Sequence, residues 1–188
     1  MRIISGHKKG FAIQAVPGDS TRPTSDRVKE SIYNIIGPYF DGEIVLDLFA
    51  GSGNLGIEAL SRGAKHAVFI DKSGTAIQVM RKNLQHAQLI EQAEIYKADW
   101  KAALEKLAVK GMRFDIVFLD PPYLEFQKQI ADIIVTLVDK QLLSDQAIIV
   151  YEYDSKYEKL ELPEYFTGNH YKYGNTGVTV LVSRGVEE

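Results

Sequence analysis

Cysteine is absent from the chain, which excludes disulfides, thiolate metal sites and a cysteine nucleophile. Such a composition suits a reducing cytoplasm. No apolar run approaches the ~20 residues that a membrane span needs, and the opening MRIISGHKKGF lacks the apolar centre of a signal peptide. Histidine is scarce and scattered, at His7, His66, His86 and His170. These read as surface residues, so no metal is expected. Internal repeats and low-complexity segments are lacking too. Charge of one sign is not in great excess, because the formal net charge is −3.

What remains is an ordinary globular composition. The 188 residues are 45% hydrophobic and 25% charged, enough apolar surface for one domain with its own core. The charge is unevenly placed. Residues 1–30 carry six basic side chains (Arg2, Lys8, Lys9, Arg22, Arg27, Lys29) against three acidic ones (Asp19, Asp26, Glu30), so the rest of the chain is net acidic. A basic head on an acidic body points to a polyanion-binding appendage, and those six residues are the candidate contacts.

The head reads as two short β-prone runs, residues 2–5 and 11–16, around a cationic turn at Gly6–Gly10. A helix follows from about Thr24–Asp26, with Val28, Ile32, Ile35 and Ile36 on one apolar face, and Gly37-Pro38 ends it. These elements make residues 1–37 an extension and residues 38–188 the main domain. From residue 43 strands and helices alternate. Strands are expected at 44–49, 67–71, 93–97, 114–119 and 147–153, and helices at 55–62, 75–88, 100–109 and 126–138. Apolar strands joined by helices argue for a parallel sheet covered on both faces. The tail departs from this. Residues 165–173 and 177–183 are strand-like runs around Gly174-Asn175-Thr176, an antiparallel hairpin closing one edge. The tyrosines of this tail read as edge-strand packing.

The strongest local signal is Asp47-Leu48-Phe49-Ala50-Gly51-Ser52-Gly53-Asn54-Leu55-Gly56, where the first strand meets the first helix. Gly51 and Gly53 permit backbone angles and a close approach that a Cβ forbids, and Gly56 lets the helix pack on the sheet. In open α/β sheets ligands bind beyond the carboxyl ends of the strands, where this turn lies. Gly51-x-Gly53-x-x-Gly56 with Asp71 twenty residues on also matches a dinucleotide-binding pattern. Asp47 argues against a pyrophosphate, which its carboxylate repels. S-adenosylmethionine carries a sulfonium and an ammonium that a carboxylate can hold. Asp71 suits ribose hydroxyls in either case, and Asp99 suits an adenine amino group. Trp100 flanks the adenine or joins the core. The expected cofactor set is Asp47, Phe49, Gly51, Gly53, Gly56, Asp71, Lys72, Asp99 and Trp100.

The second signal is Asp120-Pro121-Pro122-Tyr123, directly after the apolar strand FDIVFL. Two prolines stiffen the backbone and remove donors, so the carbonyls of Asp120 and Pro121 can be aimed outward. With the Asp120 carboxylate they form a rigid cluster of acceptors, and Tyr123 adds a flat ring. That set suits a planar base bearing an exocyclic NH2 group. An aryl amine is a weak nucleophile because its lone pair is delocalised, and two hydrogen bonds to acceptors favour a pyramidal nitrogen. Orientation and electrostatics then supply most of the acceleration. The base must leave its stack or be unpaired. Asp120, Pro121, Pro122 and Tyr123 are the candidate catalytic residues.

With these motifs the chain resembles the RsmD family of bacterial 16S rRNA (guanine-N2)-methyltransferases over nearly its whole length. The resemblance rests on MRIISG, TRPTSDRVKESIYNII at 21–36, DLFAGSGNLGIEALSRGA at 47–64, FDIVFLDPPY at 114–123 and YGNTGVTVL at 173–181. The glycine and proline motifs are shared by many amino-methyltransferases, and RPT-x-D-R-V is the family-specific part. The resemblance implies a Rossmann-like class I S-adenosylmethionine-dependent methyltransferase fold. Its sheet would be mostly parallel and seven-stranded, with an antiparallel C-terminal hairpin and a small N-terminal β-hairpin that helps bind RNA. It implies methylation of a guanine N2 amine in 16S rRNA, at guanine 966 in the family's full name. It places cofactor roles on Asp47, Gly51, Gly53, Asp71 and Asp99 and catalytic roles on Asp120, Pro121 and Tyr123. A cytoplasmic monomer acting on rRNA or an assembling small-subunit particle is expected. The family often carries more arginine and lysine after the hairpin turn, where this chain has Phe11-Ala12-Ile13-Gln14. Other targets for the same motifs are a different RNA, adenine N6 in DNA and glutamine in a protein. A dinucleotide-binding regulator or oxidoreductase is the remaining class.

Overall fold

The computed structural model describes residues 1–18, 24–122, 129–157 and 164–184. Helix α1 (Asp26–Ile36) starts where the Ser25 hydroxyl accepts from Val28 N at 3.2 Å, and stops at Gly37, whose φ of 124° is unsuited to a helix. Strand β1 (Ile44–Asp47) leads into α2 (Asn54–Ser61), β2 (His66–Asp71) and α3 (Gly74–His86). Then come β3 (Ala93–Lys97), α4 (Trp100–Val109), β4 (Phe114–Leu119) and α5 (Ile130–Asp139). The chain finishes with β5 (Leu143–Asp154), β6 (Phe166–Tyr173) and β7 (Thr176–Ser183).

These seven described strands form one sheet in the order β3-β2-β1-β4-β5-β7-β6. β1 through β5 run parallel, while β7 pairs antiparallel with both β5 and β6. Alternate strand residues feed two cores, as the period of two requires. Val45 and Phe69 face a layer built with Ile32 of α1, Leu60 of α2 and Met80 of α3. Leu46 and Val68 face Leu104 of α4 and Ile133 of α5. The sheet is therefore covered on both sides, which is why its parallel strands are apolar nearly throughout. From β1 the chain winds outward through β2 and β3, then returns to the far side of β1 as β4. That reversal leaves a crevice beyond the carboxyl ends of β1 and β4.

The fold is the expected Rossmann-like class I methyltransferase architecture, with local departures. β1 stops at Asp47 instead of Phe49. β5 begins at Leu143, four residues before the expected Ala147, with an irregular register opposite Phe114–Ile116. Exposed Asp145 and Gln146 interrupt the apolar pattern there and hid the strand. The N-terminal hairpin has a single bridge, Arg2 to Ala12, with Ile3 N donating to Phe11 O at 2.9 Å and Gly10 N to Ile3 O at 2.9 Å. Ile3 and Ile13 are buried in the same core as α1 and α2.

A buried ionic network fastens the hairpin. The Glu58 carboxylate on α2 accepts from Ile4 N at 2.9 Å, Ser5 N at 3.0 Å, Lys29 Nζ at 3.0 Å and Arg62 Nε at 2.8 Å. Lys29 Nζ also donates to Arg2 O and Asn54 Oδ1, both at 2.7 Å. This corrects one expectation. Lys29 is fully buried and its three donors are spent inside the protein, so it has no surface to offer RNA.

Candidate active site

The glycine turn, the proline segment and the C-terminal hairpin turn meet around one cavity of about 1170 Å³. Asp47 ends β1 almost fully buried, and Gly56 N donates to its Oδ2 at 3.0 Å. Burial pushes this carboxyl up to about 7; the Gly56 hydrogen bond opposes the shift, and the charges of Asp120 and Asp71 add to it. Asp71 ends β2 and holds the turn in shape. Gly51 N donates to its Oδ2 at 2.9 Å and Ser73 N to its Oδ1 at 2.8 Å. Asp99 caps α4, its Oδ1 accepting from Lys101 N and Ala102 N at 3.0 and 3.1 Å. All three carboxylates line the cavity, with Phe49 and Lys72 beside them.

The glycines divide by role. Gly51 lies on the cavity wall with φ 54°, and a Cβ there would meet no protein atom within 4 Å, leaving room for a ligand's close approach. Gly53 and Gly56, expected among the cofactor contacts, do not line the cavity. Gly53 takes φ 81° to turn the chain into α2. At Gly56 a Cβ would come within 2.4 Å of the Phe69 ring, so this glycine lets α2 lie against β2. Trp100, the first residue of α4, packs in the core shared with α5 and also lines the cavity, with Nε1 donating to Gln129 Oε1 at 2.9 Å.

Asp120, Pro121 and Pro122 follow β4 on the cavity wall, beside the glycine turn that follows the neighbouring β1. Tyr123 lies outside the described residues. Beside Asp120 stand two residues that the sequence reading missed. The Thr24 hydroxyl is within hydrogen-bond reach of Asp120 Oδ2 at 3.2 Å and of Glu152 Oε2 at 2.8 Å. Glu152 sits on β5 among buried Val150, Tyr151 and Tyr153. Burial raises its carboxyl well above the usual range, and the Asp120 charge adds to this. An acid within the apolar run of β5 was a readable signal. Thr24, carried on another segment, gave none.

Uncharged side chains of the N-terminal head border this cavity. Residues 15–18 form part of the rim, just after the hairpin strand that ends the cationic turn. Among the candidate contacts, Arg2, Lys9 and Arg27 are exposed, and Lys8 is half-buried with Nζ donating to Gln88 Oε1 at 3.2 Å. Arg2 pairs with Asp26 at 3.7 Å. Arg22 lies outside the described residues. The cavity wall itself has the opposite character. Its described side chains include six carboxylates (Asp47, Asp71, Asp99, Asp120, Glu152, Asp154) against two lysines, Lys72 and Lys101. Such a lining favours a cationic ligand over a pyrophosphate. The donor set therefore fits S-adenosyl-L-methionine, whose sulfonium and ammonium are the charges it can hold. Among the described residues no group of three or more His, Asp or Glu side chains is arranged to hold a metal ion.

Comparison with known proteins agrees with this geometry. A family model described as "Conserved hypothetical protein 95" matches residues 1–182. YlbH of Bacillus subtilis is 49% identical across 98% of this chain and all of its own length. The ribosomal RNA small subunit methyltransferase D of Haemophilus influenzae is 36% identical, covering 89% of this chain and 85% of that one. Among solved structures, yhhF of Escherichia coli superimposes with a TM-score of 0.83 at 31% identity, covering 98% of both chains.

Proposed function

The chain belongs to the RsmD family, and from that premise we propose that it methylates the exocyclic N2 amine of a guanine in 16S rRNA during small-subunit maturation. The broader activity is methylation of ribosomal RNA with S-adenosyl-L-methionine as cofactor. When bound, the cofactor supplies an electrophilic methyl group on a positively charged sulfur. Asp47, Asp71 and Asp99 hold it from the ends of three elements, and Gly51 allows the backbone to lie close. The Asp120 carboxylate and the Pro121 carbonyl accept the two N–H bonds of the target amine and turn its lone pair toward the methyl group. The nitrogen, positively charged once methylated, gives its proton to Asp120 or to water. Tyr123 stacks on the target base.

Residues 1–37 are the RNA-binding part, through Arg2, Lys8, Lys9, Arg22 and Arg27, and residues 38–188 the catalytic domain. The protein works as a monomer in the cytoplasm. Among the described residues no helix is long and apolar enough to cross a membrane.

The observation that carries this reading is the meeting of Asp120-Pro121-Pro122 with the glycine turn across one acid-lined cavity. The test uses the purified protein, S-adenosyl-L-methionine labelled in its methyl group, and unmethylated 16S rRNA, free or in small-subunit particles. Nucleosides from the digest are resolved by mass spectrometry. N2-methylguanosine at one position is expected. Label in N6-methyladenosine, or in protein glutamine, overturns the guanine assignment.

A further inference from the structure

Glu152 lies at the carboxyl end of β5 and is only 9% exposed. A buried carboxylate is costly unless a cation or donors compensate it. Among the described residues the charge facing it is another carboxylate, Asp120 at the end of β4, which itself interacts with Asp47 at the end of β1. β7 presents Val178 opposite it. The rings of its neighbours Tyr151 and Tyr153 belong to the other face of the sheet. The N-terminal segment presents Thr24, whose hydroxyl lies 2.8 Å from Glu152 Oε2 and 3.2 Å from Asp120 Oδ2.

One hydroxyl has one hydrogen and two lone pairs. Between two ionised carboxylates it can satisfy one and must turn a lone pair toward the other. If one acid keeps its proton, both contacts become hydrogen bonds. The acid donates to Thr24 Oγ1, and Thr24 donates to the remaining carboxylate. Glu152 is the better proton holder because it is the more buried of the two, and both burial and the Asp120 charge favour its neutral form.

We propose that Glu152 holds a proton at neutral pH and, through Thr24, fixes Asp120 as the ionised acceptor of the amine site. Glu152 is thus a positioning residue for Asp120. Two adjacent carboxylates resist ionising together, so a proton stored on Glu152 keeps Asp120 charged. The hydrogen bond from Thr24 fixes the orientation of the Asp120 carboxylate. The role of Asp120 rests on the methyltransferase reading above; the location of the proton does not.

The test is carbon NMR of the full chain labelled at the glutamate carboxyl carbons, without ligand, over a pH series. The resonance missing from Glu152→Gln identifies Glu152, and it is expected to titrate well above the ~4.3 of an ordinary glutamate. Titration in the ordinary range overturns the proposal. If Glu152→Gln does not fold, the same resonance is identified by its displacement in Thr24→Ala. In methyl transfer to rRNA, Glu152→Ala is expected to lower kcat about tenfold, a change of ~1.4 kcal/mol in the barrier. Glu152→Gln, whose amide still donates to Thr24, restores most of it, and S-adenosylhomocysteine binds both variants as it binds the parent. Equal losses in Glu152→Ala and Glu152→Gln also overturn the proposal. Should the parent protein transfer no methyl group to rRNA, the functional reading fails, while the titration still locates the proton.

Discussion

Asp120 and Asp47 are carboxylates on the same cavity wall with different tasks, and single substitutions should separate them. Asp120→Ala removes the amine acceptor. It should cut kcat by at least ~10²-fold and leave the S-adenosylhomocysteine Kd, measured by calorimetry, within about twofold. Equal loss of binding and turnover would instead place Asp120 in cofactor binding or folding. Asp47 should reveal itself through pH. Its carboxyl is pushed up to about 7 in the folded protein, mainly by burial, against ~3.9 in an unfolded chain. Between those values the native state binds more protons than the unfolded state, so stability falls as pH rises through that window and levels off above it. Asp47→Asn, whose amide oxygen can still accept from Gly56 N, should flatten that decline by on the order of 4 kcal/mol in urea unfolding. An unchanged slope would mean that Asp47 is ionised throughout. At this scale the sequence was informative wherever an acid ends a strand, as at Asp47, Asp71 and Asp120. It was silent about the pairing of Thr24 with Glu152, even though an acid in the apolar run of β5 is itself visible, because a contact spanning 128 residues leaves no local pattern.

The elements show a similar division. The apolar stripe of α1 was legible in Val28 and Ile32, but Lys29 beside them looks like any solvated lysine. Its partner Glu58 lies on α2, and only the packing of α1 on α2 brings them to 3.0 Å. Removing one member of a buried pair leaves the other charge uncompensated, so Lys29→Ala should cost about 3–5 kcal/mol of stability in urea unfolding. Exposed residues such as Arg27 should show no such cost. If Lys29→Ala instead keeps its stability and loses RNA affinity, the lysine is a contact after all. The glycine turn depends on the same helix. Gly56 sits where Phe69 fills the gap between α2 and β2, so Gly56→Ala should destabilise by ~1–3 kcal/mol through overpacking. Phe69→Leu on that background should recover part of the loss. Full stability of Gly56→Ala would show that α2 can move away from the sheet. The spacing of the glycines revealed the turn, but it did not separate a glycine that faces ligand from one that faces a phenyl ring.

Across the whole molecule, alternating apolar strands and amphipathic helices made the doubly covered sheet legible. The antiparallel tail was equally plain from its glycine turn. Periodicity did not provide the strand order, since no residue pattern states which strand returns beside β1. That order sets the functional geometry by placing the ends of β1, β2 and β4 around one acidic cavity, while the cationic hairpin turn lies at the other end of α2, where His7 N donates to Ser61 O at 2.8 Å. The two charge fields should act on different partners. Cations of the hairpin attract phosphates over a range that salt shortens, whereas the cavity carboxylates meet their ligand at contact and are screened less. A Lys8→Glu/Lys9→Glu variant should therefore bind rRNA more weakly, with a shallower fall of log affinity against log salt. Two lost phosphate contacts on single-stranded RNA correspond to a slope change of roughly 1.4. Its affinity for S-adenosylhomocysteine should stay that of the parent, because neither lysine lines the cavity. Filter binding over a salt series measures the first quantity and calorimetry the second. A slope identical to the parent's would remove the hairpin turn from the RNA interface and leave Arg2, Arg22 and Arg27 to carry it.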